Sequence, residues 1–323
     1  MIETALGPIA SEHLGTTLMH EHIFGLSPEI HWNRPDLPEG WDMERRAREA
    51  ADRLNGIKAL GIDTIVDLTV IGLGRFVPAI QRVAAQAAVN IVVSTGIYCS
   101  GILPPYFGNK GPGSLFGGQD RMVEFFVRDI VEGIGDTGVK AAMLKCVIDR
   151  AELTPDIERL VAAIARTHEL TGAPITVHTD ALSQSGRAAY RELKDRGVDP
   201  DRVIVGHAGD STDLDYLSEL ADRGLWLGMD RFGIESVSGE DRIATVVAMC
   251  ERGYDERMVL SHDAYSFNDR VDSTIVAARN PDYHYAHISR DVIPELRRRG
   301  VTHEMIDRMM VRNPREILDG SIR

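Results

Sequence analysis

Eight short apolar segments, separated by stretches of helical periodicity, restrict the fold of this 323-residue chain more than any other feature. Most of them are continuously apolar, which is typical of strands in a parallel sheet that is buried on both faces. Eight such strands alternating with helices predict an α/β fold, a (β/α)8 (TIM) barrel that spans residues 1–323 as a single domain. The segments are residues 17–23, 64–69, 91–97, 142–148, 175–179, 203–206, 225–229 and 258–262.

The connections between these segments support the same fold. Helix boundaries are indicated by Gly61 after residues 43–60, by Thr154-Pro155 and by Asn313-Pro314. An open doubly wound sheet is the structural alternative, and it would place a glycine-rich phosphate loop after an early strand. The first segment instead continues as His20-Glu21-His22-Ile23-Phe24-Gly25, which favours the barrel. Long loops are predicted at residues 72–76, 98–119, 230–239 and 264–287.

The composition narrows the class of partner. The formal net charge of −13 argues against nucleic acid and against an anionic membrane as ligands, so we expect a small molecule. The three cysteines, Cys99, Cys146 and Cys250, lack the spacing of a disulfide framework, which favours a reducing compartment. Residues 1–5 show neither a basic nor an apolar leader segment, and no apolar run is as long as a membrane span. We therefore expect a soluble cytoplasmic protein.

Candidate metal ligands lie at the ends of the predicted strands. His20 and His22 are two residues apart in one strand, so their imidazoles point to the same side and can reach one ion. The active sites of such barrels lie at the carboxyl ends of the strands. Each later residue has a structural interpretation when taken alone, but together they predict a divalent metal site of nitrogen and oxygen ligands. The predicted set is His20, His22, Lys145, His178, His207 and Asp263.

Lys145 is the unusual member of this set. A protonated ammonium group has no lone pair and repels a dication, so it cannot be a ligand. Either the amine is neutral, or CO2 has converted it to a carbamate. A carbamate is anionic and offers two oxygens, which suits a bridge between two metal ions.

The arrangement resembles the phosphotriesterase family of the amidohydrolase superfamily, over residues 17–318. The motifs that carry the resemblance are Leu18-Met19-His20-Glu21-His22, Leu144-Lys145, Thr176-Val177-His178-Thr179, Val205-Gly206-His207-Ala208-Gly209-Asp210 and Leu260-Ser261-His262-Asp263. The resemblance implies that His20, His22 and Asp263 bind a buried metal and that His178 and His207 bind a more exposed one. It further implies that carboxylated Lys145 and a hydroxide bridge the two ions. The identity of the metal stays open, because zinc, cobalt, manganese and iron all suit nitrogen and oxygen ligands, and zinc is the first expectation.

Two further segments look like those of phosphotriesterase-like lactonases. They are Ser94-Thr95-Gly96-Ile97-Tyr98 and Gly228-Met229-Asp230-Arg231-Phe232-Gly233. The resemblance implies that the bridging hydroxide attacks a lactone carbonyl, that Tyr98 and Arg231 hold the ester group, and that Asp263 transfers the proton. His262 is a second candidate relay, although we expect its side chain to point away. The implied substrates are N-acyl-homoserine lactones and other lactones, with weak hydrolysis of organophosphate triesters, and the implied assembly is a homodimer.

An acyl chain would have to lie outside the metal centre. The apolar residues of segment 264–287 are the candidate wall of its channel, or else part of a subunit interface. These residues are Tyr265, Phe267, Val271, Ile275, Tyr283 and Tyr285.

Four functions are compatible with these sequence features. The first is a lactonase that destroys quorum signals, and the second is a phosphotriesterase, against which Tyr98 and Arg231 argue. The third is a non-catalytic barrel that serves as a binding module, against which the complete ligand set argues. The fourth is another amidohydrolase reaction such as deamination, which commonly uses one metal and no lysine at the position of Lys145.

Overall fold

The computed structural model describes residues 1–34, 36–37 and 41–319, and within them the chain forms a (β/α)8 barrel. The strands are β1 (Thr17–Gly25), β2 (Thr64–Asp67), β3 (Asn90–Gly96), β4 (Met143–Ile148), β5 (Ile175–Thr179), β6 (Val203–Gly206), β7 (Trp226–Met229), β8 (Met258–Leu260) and β9 (Tyr265–Asn268). The predicted fold class is confirmed. Of the eight predicted strands, β5 and β6 have the predicted bounds, and the others differ by one or two residues at an end. The predicted domain ends at residue 323, so its last residues lie outside the described ranges.

The helices lie between the strands in chain order. They are α1 (Pro28–Asn33), α2 (Met43–Lys58), α3 (Val77–Ala84), α4 (Pro105–Gly108), α5 (Met122–Val131), α6 (Pro155–Thr171), α7 (Gly186–Lys194), α8 (Leu214–Asp222), α9 (Gly239–Glu251), α10 (Ser273–Arg279), α11 (Ile293–Arg298), α12 (His303–Asp307) and α13 (Asn313–Asp319). None of the helices in the described ranges is long and apolar enough to cross a bilayer.

All strand pairs are parallel, in the order β8-β7-β6-β5-β4-β3-β2-β1-β9. Because β8 and β9 follow each other along the chain, β1 closes the barrel against this last stretch. The amide of Asp263 donates to the carbonyl of His20 at 2.9 Å, and the amide of His22 donates to the carbonyl of Ala264 at 2.9 Å. Beyond these bonds, β9 continues the pairing from Tyr265 opposite His22. The first and last strands are therefore joined where the candidate ligands lie.

Local sequence determines where the helices around the sheet begin and end, as α6 shows. Thr154 accepts the amide of Ile157, a cap of the kind that contributes about 1 kcal/mol, and Pro155 occupies the first turn. Gly172 ends α6 with a φ of 73°, a left-handed conformation that glycine adopts without steric cost. The buried face of α6 includes Leu160 and Ile164 and packs into the main core cluster.

Two of the predicted long loops contain regular structure. Residues 264–287 include β9 and α10, and residues 98–119 include α4. Strand β9 has only four residues, and its pairing with β1 stabilises it more than its own periodicity does. The sequence pattern could not indicate that pairing.

Candidate metal centre

Three ligand atoms from the first and last strands converge at the mouth of the barrel. Nε2 of His22 lies 3.0 Å from Oδ1 of Asp263, and Nε2 of His20 lies 3.4 Å from the same oxygen. The two histidines share one face of β1 because side chains alternate along a strand. Asp263 follows β8 and has a φ of 58°. These three side chains form a group that could hold a metal ion.

Hydrogen bonds at the opposite ring nitrogens determine which atoms face the ion. Nδ1 of His20 donates to Oδ2 of Asp230 at 2.7 Å, and Nδ1 of His22 lies 2.9 Å from the hydroxyl of Thr69. Burial and nearby Lys145 lower the pKa of His20 to about 4, so its imidazole is neutral. The Nε2 lone pairs of His20 and His22 then face Oδ1 of Asp263, and these negative atoms repel one another. A cation between them would attract all three. The donor set therefore fits a divalent ion with nitrogen and oxygen ligands.

A second pair of imidazoles shows the same arrangement. Nδ1 of His207 donates to Oδ1 of Asp230 at 2.8 Å, which leaves its Nε2 facing Nδ1 of His178 at 2.7 Å. Nε2 of His178 in turn lies 3.1 Å from Oδ1 of Asp149. Burial lowers the pKa of both histidines, so neutral rings are favoured here too.

Asp230 joins the two halves of the site. It forms a second group of potential ligands with His20 and His207, and its carboxylate is fully buried. Because each of its oxygens already accepts an Nδ1 proton, we interpret Asp230 as the residue that orients both rings. The two His/Asp groups are consistent with a binuclear metal centre.

Lys145 lies between these groups on β4. Its Nζ is 3.0 Å from Nε2 of His20, and the residue is 1% exposed. Burial lowers the pKa of Lys145 to about 8, which makes the neutral amine accessible near physiological pH. A neutral amine is the form that reacts with CO2, so the setting suits carbamate formation.

Tyr98 and Arg231 line the same cavity as five of the six candidate ligands, and His207 is not part of its lining. This cavity of about 190 Å³ is lined by His20, His22, Leu73, Tyr98, Lys145, His178, Arg231, Asp263, Tyr265 and Arg270. The ring of Tyr98 packs edge-on against His178, with ring centroids 4.9 Å apart. Arg231 donates from Nε to Oδ2 of Asp263 at 3.1 Å and from Nη1 to Oδ2 of Asp210 at 2.8 Å.

His262 points away from the cavity. Its Nδ1 donates to Oε1 of Glu21 at 2.7 Å, and its Nε2 accepts the amide of Ile288 at 3.0 Å. Oε2 of Glu21 also accepts the amide of Ala264 at 3.0 Å. Both ring nitrogens of His262 are therefore engaged by structural partners, and Glu21 ties the segment around Asp263 to β1. The sequence reasoning missed Glu21, although its position between two inward-facing histidines places it on the opposite face of the strand.

The candidate wall for an acyl chain lines a larger cavity next to the metal centre. A cleft of about 650 Å³ that is open to solvent lies beside Tyr265, Phe267, Val271, Tyr283 and Tyr285, together with Arg46 and Arg53 of α2. Tyr265 borders both cavities, and its ring stacks on His22 with centroids 4.4 Å apart. Ile275 is not part of this wall and is 51% exposed.

A barrel with two His/Asp groups beside a buried lysine defines a metal-dependent hydrolase. The model of the phosphotriesterase family matches residues 1–318, and the chain belongs to this family. It is 49% identical over 320 residues to the phosphotriesterase homology protein of Mycobacterium tuberculosis, covering 98% of this chain and 97% of the relative.

Two further comparisons agree with this assignment. The chain is 32% identical over 311 residues to the aryldialkylphosphatase of Saccharolobus solfataricus, covering 95% of this chain and 96% of the relative. The solved structure of the phosphotriesterase from Mycobacterium tuberculosis superimposes with a TM-score of 0.96, at 48% identity and 99% coverage of both chains.

Proposed function

We propose that the protein is a lactonase that hydrolyses N-acyl-homoserine lactones, with weak hydrolysis of organophosphate triesters as a side activity. The observation that carries the proposal is that Tyr98 and Arg231 line one cavity with the candidate ligands His20, His22, Lys145, His178 and Asp263. Among the described residues, Nη2 of Arg231 has no hydrogen-bond partner, whereas Nε and Nη1 are engaged. This nitrogen and the phenol of Tyr98 are two donors that could bind an ester in this cavity.

The proposed roles follow from these positions. His20, His22 and Asp263 would hold one divalent ion, His178 and His207 a second, and carboxylated Lys145 would bridge them. Bound ions of this kind lower the pKa of water and polarise carbonyl or phosphoryl oxygens. Asp263 would take the proton of the attacking water and pass it to the ring oxygen as the carbon–oxygen bond breaks. Tyr98 and Nη2 of Arg231 would donate to the ester oxygens and orient the ring.

A phosphotriesterase is the second candidate. Two of the relatives are named as a phosphotriesterase homology protein and an aryldialkylphosphatase, and this supports phosphotriester hydrolysis as the main activity. The same donor atoms could hold a phosphoryl group. The two candidates therefore differ in which substrate the cavity prefers.

A rate comparison on metal-reconstituted enzyme tests the proposal. We expect kcat/KM for N-acyl-homoserine lactones to exceed that for an aryl dialkyl phosphate by ~100-fold, about 2.7 kcal/mol of transition-state preference. Tyr98→Phe and Arg231→Met should lower the lactone rate more than the phosphate rate. A phosphate preference in the wild type would contradict the proposal and favour the second candidate.

The acyl chain would lie along the cavity that begins at Tyr265. A series of acyl-chain lengths tests this, because Val271→Trp should reduce kcat/KM for substrates with long chains and leave kcat/KM for short chains unaffected.

We further propose a homodimer in a reducing cytoplasm. The three cysteines are free and buried, and exposed Ile102, Leu115 and Phe116 offer apolar surface for a second copy. Light scattering at several concentrations tests the dimer.

The carbamate at Lys145 has its own test. Lys145→Ala should lower kcat/KM by ~100-fold or more, because one proposed bridging ligand is lost. Acetate or propionate should restore part of the activity by supplying a carboxylate in the space left by the side chain. Failure of any small carboxylic acid to restore activity would argue for a neutral amine instead.

A further inference from the structure

Three neighbouring strand ends hold a non-glycine residue in the left-handed region. The φ angles are 64° for His207 after β6, 63° for Arg231 after β7 and 58° for Asp263 after β8. Such conformations are strained and persist where the surrounding structure holds them in place. All three residues belong to the candidate site, so whatever holds this backbone also holds the site.

Arg242 joins the backbone behind two of these strand ends. It lies on α9 and is 1% exposed. Its Nη1 donates to the carbonyl of Gly209 at 2.7 Å and to the carbonyl of Asp230 at 3.2 Å. Its Nη2 donates to the carbonyl of Ile234 at 3.3 Å. One guanidinium group therefore connects the segment after β6 with the segment after β7.

The same group begins a chain of charges that ends at a candidate ligand. Nη2 of Arg242 donates to Oδ1 of Asp210 at 2.5 Å, and Oδ2 of Asp210 accepts Nη1 of Arg231 at 2.8 Å. Nε of Arg231 then donates to Oδ2 of Asp263 at 3.1 Å. Two guanidinium groups and two carboxylates alternate along this path, so each charge is compensated by its neighbours.

The path determines which oxygen of Asp263 faces the histidines. Because Arg231 occupies Oδ2, Oδ1 is the oxygen directed at Nε2 of His20 and of His22. A planar guanidinium that is held at two of its nitrogens has little freedom to rotate. The orientation of Arg231 therefore depends on Asp210, which depends on Arg242.

We propose that Arg242 is a positioning residue that acts through Asp210 and Arg231 on the orientation of Asp263. The proposal rests on the proposed function only in assigning Asp263 to the reaction. Arg242 lies outside the cavity that holds Asp263, so it can act there only through its contacts, which are the path through Asp210 and Arg231 and the carbonyls of Gly209 and Asp230. The proposal assigns the effect to the first of these two routes. A role in stability alone would not depend on whether Arg231 is present.

A double-mutant cycle on reconstituted holoenzyme separates these two roles. Arg242→Met, Arg231→Met and the double variant are assayed with a homoserine lactone and an aryl dialkyl phosphate. We expect Arg242→Met to lower kcat by about tenfold with a small change in KM, and the double variant to match Arg231→Met alone. If kcat of the double variant fell by the product of the two single-variant factors, the proposal would be overturned. The cycle is measured with whichever of the two substrates the wild type hydrolyses. An error in the proposed substrate would therefore appear in the wild-type rates and would not affect the cycle.

A readout without turnover and a matched control complete the test. Cobalt titration followed by visible absorption should show about tenfold weaker binding in Arg242→Met, and Arg242→Lys should recover part of the loss. Arg75→Met is the control, because Arg75 is also a buried arginine, bonded to Asp129 at 2.7 Å and to the carbonyl of Ser94 at 3.0 Å. It should lower the melting temperature without changing kcat or cobalt affinity. Equal losses in Arg75→Met, or unchanged cobalt binding in Arg242→Met, would contradict the proposal.

Discussion

At the scale of single residues, the site is organised by groups that hold the ligand atoms rather than by the ligands alone. Asp230 accepts Nδ1 of both His20 and His207 and thereby exposes Nε2 of each. The positions of the candidate ligands at strand ends were predictable from local pattern, and their role as metal ligands stays a prediction. The role of Asp230 was not predictable, since a carboxylate after a strand has the same pattern whether it binds a metal or orients an imidazole.

The low pKa of Lys145 has a consequence for stability in metal-free protein. The folded amine releases its proton near pH 8, whereas an unfolded lysine holds it to about pH 10.5, so the unfolded state binds more protons between these values. The free energy of unfolding of the wild type should therefore rise with pH across this window relative to that of Lys145→Met. Urea titrations at several pH values measure the difference.

The comparison between the two proteins cancels the titration of groups that do not interact with Lys145. Buried Cys146, whose pKa burial raises to about 12, acts in the opposite direction in both proteins, and Lys145 lowers that pKa in the wild type alone. Lys140→Met serves as the control for loss of a lysine outside the cavity. If the difference in free energy of unfolding between the wild type and Lys145→Met did not change from pH 8 to 10.5, Lys145 would have an ordinary pKa.

At the scale of secondary structure, two prolines explain irregular helices that the sequence did not reveal. Pro294 and Pro314 each follow a π-helical turn, Ile288–Val292 and Arg308–Arg312. A proline inside a helix lacks an amide and clashes with the preceding turn, and a wider turn accommodates it. The helix boundary predicted at Asn313-Pro314 coincides with the start of α13, but Asn313 follows the π-helical turn directly and does not cap the helix. Asn313 has helical backbone angles, and its side-chain Nδ2 donates to the carbonyls of Asp255 at 2.8 Å and Met258 at 2.7 Å.

Glycine substitutions test how closely β3 and β4 approach each other. Gly96 has a φ of 134°, and a Cβ there would lie 1.9 Å from the carbonyl oxygen of Lys145. Gly96→Ala should lower the free energy of unfolding by about 3 kcal/mol and reduce metal content, because it displaces the strand that carries Lys145. Thermal and urea unfolding measure the first effect, and elemental analysis measures the second.

Gly56→Ala is the matched control for this prediction. Gly56 lies in α2, and a Cβ there meets no heavy atom within 4 Å. Alanine should therefore stabilise the protein by roughly 0.5–1 kcal/mol by favouring the helix. If Gly96→Ala were as well tolerated as Gly56→Ala, the close approach of β3 and β4 would be wrong.

At the scale of the whole molecule, the barrel was predictable because each buried strand is a continuous apolar segment. The closing strand β9 was not, because its four residues depend on a partner that lies more than 200 residues away in the chain. The same distance explains why the sequence did not reveal Glu21 as the anchor of the segment around Asp263. Local patterns thus predict elements well, and contacts between the first and last strands poorly.

Metal removal should lower the stability of the whole barrel. Ions that bind only the folded state stabilise it by RT ln(1 + [L]/Kd), about 4 kcal/mol for one site at 1,000 times Kd. Chelator-treated protein should therefore unfold at lower urea concentration, and zinc should restore the midpoint more than magnesium, which prefers oxygen ligands. His22→Asn should abolish most of the zinc effect. An identical midpoint with and without zinc in the wild type would contradict a metal centre in this cavity.

The pairing of β1 with the stretch from β8 to β9 also determines when the site can form during synthesis of the chain. His20 and His22 leave the ribosome long before Asp263, so the first ligand group is incomplete until most of the chain has been made. Loop closure over such a separation is slow compared with local pairing. A nascent chain would therefore acquire its metal late, and premature capture of an ion by the early histidines would compete with correct closure of the barrel.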